Sequence, residues 1–206
     1  MTCGARLPAD PAGPRAAGTR CSADARRDEA ALAAARILAA RETRWHRRLA
    51  LAKRTGKTVI CIGLVMPGAD KDPSGAPEAF AELLGALLRL LSERGMTCTE
   101  RDIWTSADGR HALLAVDADA RSAKAACVAL EEHHPLGRLA DADVTGADGR
   151  AVGRTELGLP PRRCLLCGRP AAECARARSH PLEEVLGCVR SILQGVRAVA
   201  EDLPRS

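Results

Sequence analysis

Between residues 58 and 145, short apolar runs alternate with helical patterns in one order, and that order restricts the fold more than any other feature of the chain. Residues 58–65 (TVICIGLV) are β-branched, apolar and short, as a buried strand requires. Met66-Pro67-Gly68 ends the run, and Lys71 is presented just beyond it. Residues 78–94 place Phe80, Leu84, Leu87 and Leu91 on one helical face, with Gly95 as the stop. Residues 96–104 and 111–116 read as two further strands, joined through the hairpin signal Ala107-Asp108-Gly109-Arg110. Residues 122–133 read as a helix ended by Pro135-Leu136-Gly137, and 139–145 as a fourth strand. The order β-α-β-β-α-β predicts an α+β fold, a ferredoxin-like sheet with two helices on one face.

The flanks add to this core. Residues 28–57 read as an N-terminal basic helix, with Leu32, Leu38, Trp45 and Leu49 near one face. Arg36, Arg41, Arg44, Arg47, Arg48, Lys53 and Arg54 cover much of the rest, either as a solvated face or as a surface for an acidic partner or a polyphosphate. Residues 1–27, rich in Ala, Gly, Pro and Arg without periodicity, are expected to be a disordered leader, leaving 28–206 as a single domain. A last helix is expected from Pro181 to about residue 201, packing through Leu182, Val185, Leu186, Val189, Ile192 and Leu193. With no Tyr, one Phe and two Trp the core must be aliphatic, and a nucleic-acid surface would lack stacking platforms. No apolar run reaches the length of a membrane span, and no signal-peptide stretch is seen. Nine cysteines in such a chain imply a reducing, cytoplasmic compartment; Cys61, Cys98 and Cys127 fall in apolar segments and read as small core residues.

The candidate chemistry lies between residues 135 and 180. On a strand, alternate side chains share a face, so Asp141 and Asp143 stand together while Ala140, Ala142 and Val144 pack beneath. Two carboxylates on an open sheet face suit Mg²⁺, which takes hard oxygen ligands and keeps waters for substrate phosphates. Gly137 would let backbone approach a phosphate, and Arg138 could fork two of its oxygens. The bland alternative is an acidic hairpin in solvent. Asp117, Asp119, Asp148 and Glu156 are all candidates for a third carboxylate. Downstream, Cys164, Cys167, Cys174 and His180 are spaced C-x₂-C-x₆-C-x₅-H within the segment 162–180. That spacing fits a closed, structural zinc site; the alternative is a set of reduced thiols in a basic loop with Arg162, Arg163, Arg169, Arg176 and Arg178.

These blocks, in this order, resemble the holo-citrate lyase synthase family, the apo-citrate lyase phosphoribosyl-dephospho-CoA transferases. Pro67-Gly68 with Lys71 is similar to that family's Pro-Gly-x-x-Lys turn. Gly137-Arg138-Leu139-x-Asp141-x-Asp143-Val144 is similar to its Gly-Arg-Leu-x-Asp-x-Asp-Val core. Arg163, Cys164, Cys167, Cys174, Arg176, Arg178 and His180 are similar to its tail, and Arg41 and Arg44 to its early Arg-x-x-Arg. Val65 stands where the family has Asn before the Pro-Gly turn, and Arg48 where a Gln often follows the arginine pair. The resemblance implies transfer of 2′-(5-triphosphoribosyl)-3′-dephospho-CoA to a serine of the apo acyl carrier (gamma) subunit of citrate lyase, with loss of pyrophosphate. It implies metal on Asp141 and Asp143, phosphate contacts from Arg138, Lys71 and Arg163, and a carrier dock on residues 41–54. Neither nucleic acid nor membrane is expected as a partner. Two alternatives stand beside it: the same chemistry on a malonate decarboxylase carrier, and a degenerate protein that binds carrier or nucleotide without turnover.

Overall fold

The structure, a computed structural model, describes residues 18–201. A long helix α1 (Gly18–Thr55) leads into strand β1 (Thr58–Leu64), helix α2 (Ala76–Glu93), the hairpin β2 (Thr97–Ser106) and β3 (Gly109–Asp117), and helix α3 (Ala120–His133). A single 3-10 turn, Gly137–Leu139, delivers β4 (Ala140–Thr145), and a two-residue β5 (Ala151–Val152) follows. A short helix α4 (Ala171–Ala177) and a last helix α5 (Leu182–Glu201) complete the described residues. The strands form one antiparallel sheet in the order β2-β3-β1-β4-β5, an α+β architecture.

Alternation along the strands sorts the side chains onto two faces. Ile60, Ile62, Leu114, Val116, Ala140, Ala142 and Val144 face α2 and α3 and build the main core with Phe80, Leu83, Leu87, Ala126 and Leu130. Helix α5 adds Val189 and Leu193 to it. Each fully buried Leu, Ile or Val side chain here contributes about 1.5–3 kcal/mol. Asp119 starts α3, its carboxylate accepting from the Ser122 amide at 2.9 Å. Gly75, with a positive φ of 92°, turns the chain into α2, where Pro77 sits in the first turn without costing a hydrogen bond.

The opposite face differs from the expectation of an open sheet. The C-terminal part of α1 lies across it, and Leu51 and Ala52 pack on Val59, Cys61, Leu113 and Ala115. The helix also begins at Gly18 rather than Asp28, so residues 18–27 of the expected leader are helical, while 1–17 lie outside the described residues. Leu139 is absorbed into the core from the 3-10 turn, so the fourth strand begins at Ala140 and not at residue 139.

Candidate functional site

The site is assembled on the sheet face beneath α1. Across the strands, Asp141 pairs with Gly63 and Gly63 with His111; one row along, Asp143 pairs with Cys61 and Cys61 with Leu113. Helix α1 lowers Arg41, Arg44 and Arg48 onto these rows, since residues three and four apart share a helical face. Arg48, almost wholly buried, places Nη1 3.0 Å from Asp143 Oδ2. Arg44 places Nε 3.1 Å from Asp108 Oδ2, a carboxylate only 1% exposed. Arg41, Arg44, Trp45, Arg48, Cys61 and Asp143 enclose a small pocket of about 90 Å³. Burial pushes the Cys61 thiol up to about 11, so it packs there as a thiol and not as a nucleophile.

Asp141 has no ion pair among the described residues. Burial raises its pKa first and the neighbouring Asp143 charge second, while Arg44 and Arg162 pull the other way. A half-buried carboxylate with its charge poorly compensated, beside a second carboxylate, fits a site that receives a cation or a proton. Asp141 and Asp143 are the residues that could hold Mg²⁺ through carboxylate oxygens, with Asp143 sharing its carboxylate with Arg48. None of the four candidate third carboxylates joins them. Asp117 pairs with Lys57, Asp119 caps α3, Asp148 accepts from the Arg150 amide, and Glu156 accepts from the Gly153 amide.

Lys71 and the Val65-Met66-Pro67 segment after β1 line a larger cleft of about 640 Å³, closed on the other side by α4 and α5. Arg41, Lys71, Arg178 and His180 line it with Val65, Met66, Leu165 and Val185, so it is apolar with a cationic margin. Arg41 belongs to both this cleft and the pocket over Asp143, and so connects them. Lys71 donates Nζ to the Met66 carbonyl at 2.5 Å, and its pKa is lowered by burial and then by Arg41. Gly68 adopts φ 76° and lies against Leu182 and Leu186 of α5. Gly137 serves packing: a Cβ there would lie 2.4 Å from the Leu130 carbonyl oxygen of α3. Arg138 donates Nη2 to the Cys164 carbonyl at 2.6 Å, leaving the rest of its fork available. Arg163 is exposed and takes part in an isolated β-bridge with Pro170.

The cysteine–histidine cluster closes in space. The ligand atoms of Cys164, Cys167, Cys174 and His180 lie within 4.8 Å of one another. Cys167 Sγ is 3.6 Å from Cys174 Sγ and 3.4 Å from His180 Nε2. A tetrahedral zinc ion with Zn–S of about 2.3 Å and Zn–N of about 2.0 Å sets such edges at about 3.8 and 3.5 Å. The loop is shaped for this. The Cys164 amide donates to the Arg169 carbonyl at 2.8 Å, α4 carries Cys174, and Arg178 at φ 47° turns the chain so that His180 faces back. The amide and guanidinium of Arg169 lower the Cys167 thiol to about 6, a thiolate at neutral pH.

Two arginines of the basic helix, Arg44 and Arg48, are turned inward onto Asp108 and Asp143. Arg47 pairs with Asp102 and lies 4.1 Å over the Trp104 ring, and Arg54 pairs with Glu100 at 2.6 Å. Arg41, Lys53 and Arg54 are exposed on that stretch. Sequence reasoning missed the buried group at the centre of these contacts. Asp108 accepts from Ser106 Oγ at 2.7 Å and stands 3.2 Å from His111 Nε2. His111 lies in the notch over Gly63, its Nδ1 2.6 Å from where a Cβ would be. Burial, then the Arg44 charge, push His111 below its ordinary pKa against the pull of Asp108, so the ring is neutral at pH 7. The Asp-Gly pair signalled only a turn, and a histidine in an apolar strand signalled only burial.

The α+β sheet thus carries a carboxylate pair under arginines, joined through Arg41 to a cleft with a cationic margin. Residues 33–196 match the family described as apo-citrate lyase phosphoribosyl-dephospho-CoA transferase. A protein of that name from Escherichia coli O7:K1 (strain IAI39 / ExPEC) is 37% identical over 162 residues, 79% of this chain and 88% of the relative. One from Shigella flexneri serotype 5b (strain 8401) is 36% identical over the same share. The chain belongs to the apo-citrate lyase phosphoribosyl-dephospho-CoA transferase family.

Proposed function

We propose that this protein transfers the phosphoribosyl-dephospho-CoA group from its triphosphoribosyl precursor to a serine of the apo acyl carrier subunit of citrate lyase. The observation that carries the reading is the Asp141–Asp143 pair set beneath Arg41, Arg44 and Arg48 in a chain of this family. The serine Oγ attacks the α-phosphorus of the donor; a P–O bond forms to the serine and the bond to pyrophosphate breaks. The hydroxyl proton leaves to a phosphate oxygen of the departing pyrophosphate or to solvent, because Asp141 and Asp143 are reserved for the cation. Arg138 and Lys71 meet the charge on the donor's phosphates. Gly68 shapes the turn that presents Lys71, and Arg41, Arg44 and Arg163 are substrate-side cations of the same reading. Mg²⁺ on Asp141 and Asp143, when bound, neutralises the triphosphate and the departing pyrophosphate. The 640 Å³ cleft, apolar with a cationic margin, suits the dephospho-CoA portion of the donor.

The same reading covers the rest of the molecule. The β-α-β-β-α-β order with strands β2-β3-β1-β4 supports a ferredoxin-like core within a single domain from residue 28. Cys164, Cys167, Cys174 and His180 hold a structural zinc ion, supported by ligand edges of tetrahedral size. A cytoplasmic setting fits the seven cysteines from Cys61 to Cys188, all free; no helix among the described residues is long and apolar enough to cross a membrane. Pyrophosphate release is the discriminating assay. It should require the triphosphoribosyl donor, Mg²⁺ and the apo carrier of citrate lyase together. Release with a malonate decarboxylase carrier instead would move the acceptor, and binding without release would mark a degenerate protein.

A further inference from the structure

The cysteine–histidine knuckle and the turn that delivers Asp141 are joined by hydrogen bonds running in both directions. Arg162, two residues before the first ligand, donates Nη1 to the Ala140 carbonyl at 2.5 Å. Its Nη2 donates to the Gly137 carbonyl at 3.3 Å and also to the Arg138 carbonyl. In return, the Arg138 guanidinium donates to the carbonyl of Cys164, itself a ligand residue. From below, Gly137 is pressed on the last turns of α3, where the Leu130 and Glu131 carbonyl oxygens occupy the space of a side chain. The turn is therefore held between a helix and the knuckle, and its position fixes where β4 begins.

Arg162 makes no ion pair among the described residues; its planar fork is spent on three main-chain oxygens of one turn. The knuckle that carries it has little regular structure of its own before α4, and among its four ligand residues only Cys164 and Cys174 are buried. An ion shared by four side chains is the strongest available constraint on such a loop.

We propose that Arg162 is a positioning residue for transfer: the ion in the knuckle fixes Arg162, and Arg162 fixes the Gly137–Ala140 backbone from which Arg138 and Asp141 project. This rests on the zinc reading above. The site on β4 is then linked to metal occupancy of a cluster whose ligands take no part in the chemistry.

The test is amide hydrogen exchange over residues 137–143 in the full chain, with bound zinc counted by elemental mass spectrometry. The wild-type protein is compared before and after zinc chelation, after zinc is restored, and with Arg162→Gln and Arg162→Lys. Stripping should speed exchange across 137–143 and zinc should restore protection. Arg162→Gln should speed the same exchange with zinc still bound, and lower kcat by about tenfold or more with a smaller change in donor KM. Arg162→Lys keeps the charge without the fork and should fall between; it serves as the probe if Arg162→Gln fails to fold. Zinc-loaded protein whose exchange is unmoved by stripping or by substitution would overturn the inference and leave the zinc site standing. Protein that binds no zinc would overturn the zinc reading and this inference with it.

Discussion

Replacing Asp108 by Ala should cost this protein far more than its place in a hairpin turn suggests. The carboxylate is 1% exposed; it accepts from Ser106 Oγ at 2.7 Å and pairs with Arg44 Nε at 3.1 Å, with the neutral His111 ring 3.2 Å away. Removing it strands a guanidinium that is only 18% exposed, on the helix that roofs the site. Breaking a buried pair by deleting one partner costs about 3–5 kcal/mol, and the partial exposure of Arg44 places this case near about 3. For a chain of this size that lowers Tm by about 6–12 °C. Asp102→Ala is the internal control. Its pair with Arg47 is 48% and 39% exposed, and such pairs are worth under about 1 kcal/mol. Urea unfolding followed by circular dichroism measures both. If Asp108→Ala is no more destabilising than Asp102→Ala, the argument that Asp108 secures α1 to the sheet is wrong.

Asp141→Asn should raise Tm at pH 7 while abolishing transfer. A carboxyl whose folded pKa is raised contributes stability below its unfolded value of about 3.8, and that contribution is lost as pH rises through the folded pKa. The gain should therefore vanish in acid, and an unchanged or lower Tm at pH 7 would contradict it. His111 has the opposite sign. Its folded pKa is depressed, so its contribution is present above about pH 6.5 and lost as pH falls toward the folded value. His111→Gln should flatten the pH dependence of unfolding below pH 6.5, and an unaltered slope would sink the assignment. Cys174→Ser should lower zinc affinity at least about tenfold in a chelator competition, whereas equal affinity would mean that the cluster is not the binding site.

Much of the frame was legible because period and chemistry agreed. The alternation in residues 140–145 placed the aspartates opposite the core, and the apolar run at 58–65 marked the central strand. The knuckle was legible from spacing alone, since four ligands within 17 residues leave a loop few ways to close. What could not be read were the long-range pairs. Arg44 meets Asp108, and Arg48 meets Asp143, only because α1 crosses the sheet face, and no periodicity of α1 announces that crossing. Arg44 and Arg48 read as part of a solvated or docking face for the same reason: charge along a helix does not reveal which acids a sheet will present to it. Strand β5, at two residues, carries no period to detect, and α4 is a helix of seven residues framed by zinc-ligand spacing. Arg162 read as one basic residue among five, until the turn at 137–140 was found beneath it.

The most direct test of the central claim is intact-mass spectrometry of the apo acyl carrier subunit of citrate lyase, incubated with this protein, the triphosphoribosyl-dephospho-CoA donor and Mg²⁺. The account predicts a gain matching one phosphoribosyl-dephospho-CoA group on the carrier serine, absent with Asp141→Ala or Asp143→Ala of unchanged fold. A carrier of unchanged mass, or a full gain with both aspartates replaced, would contradict it.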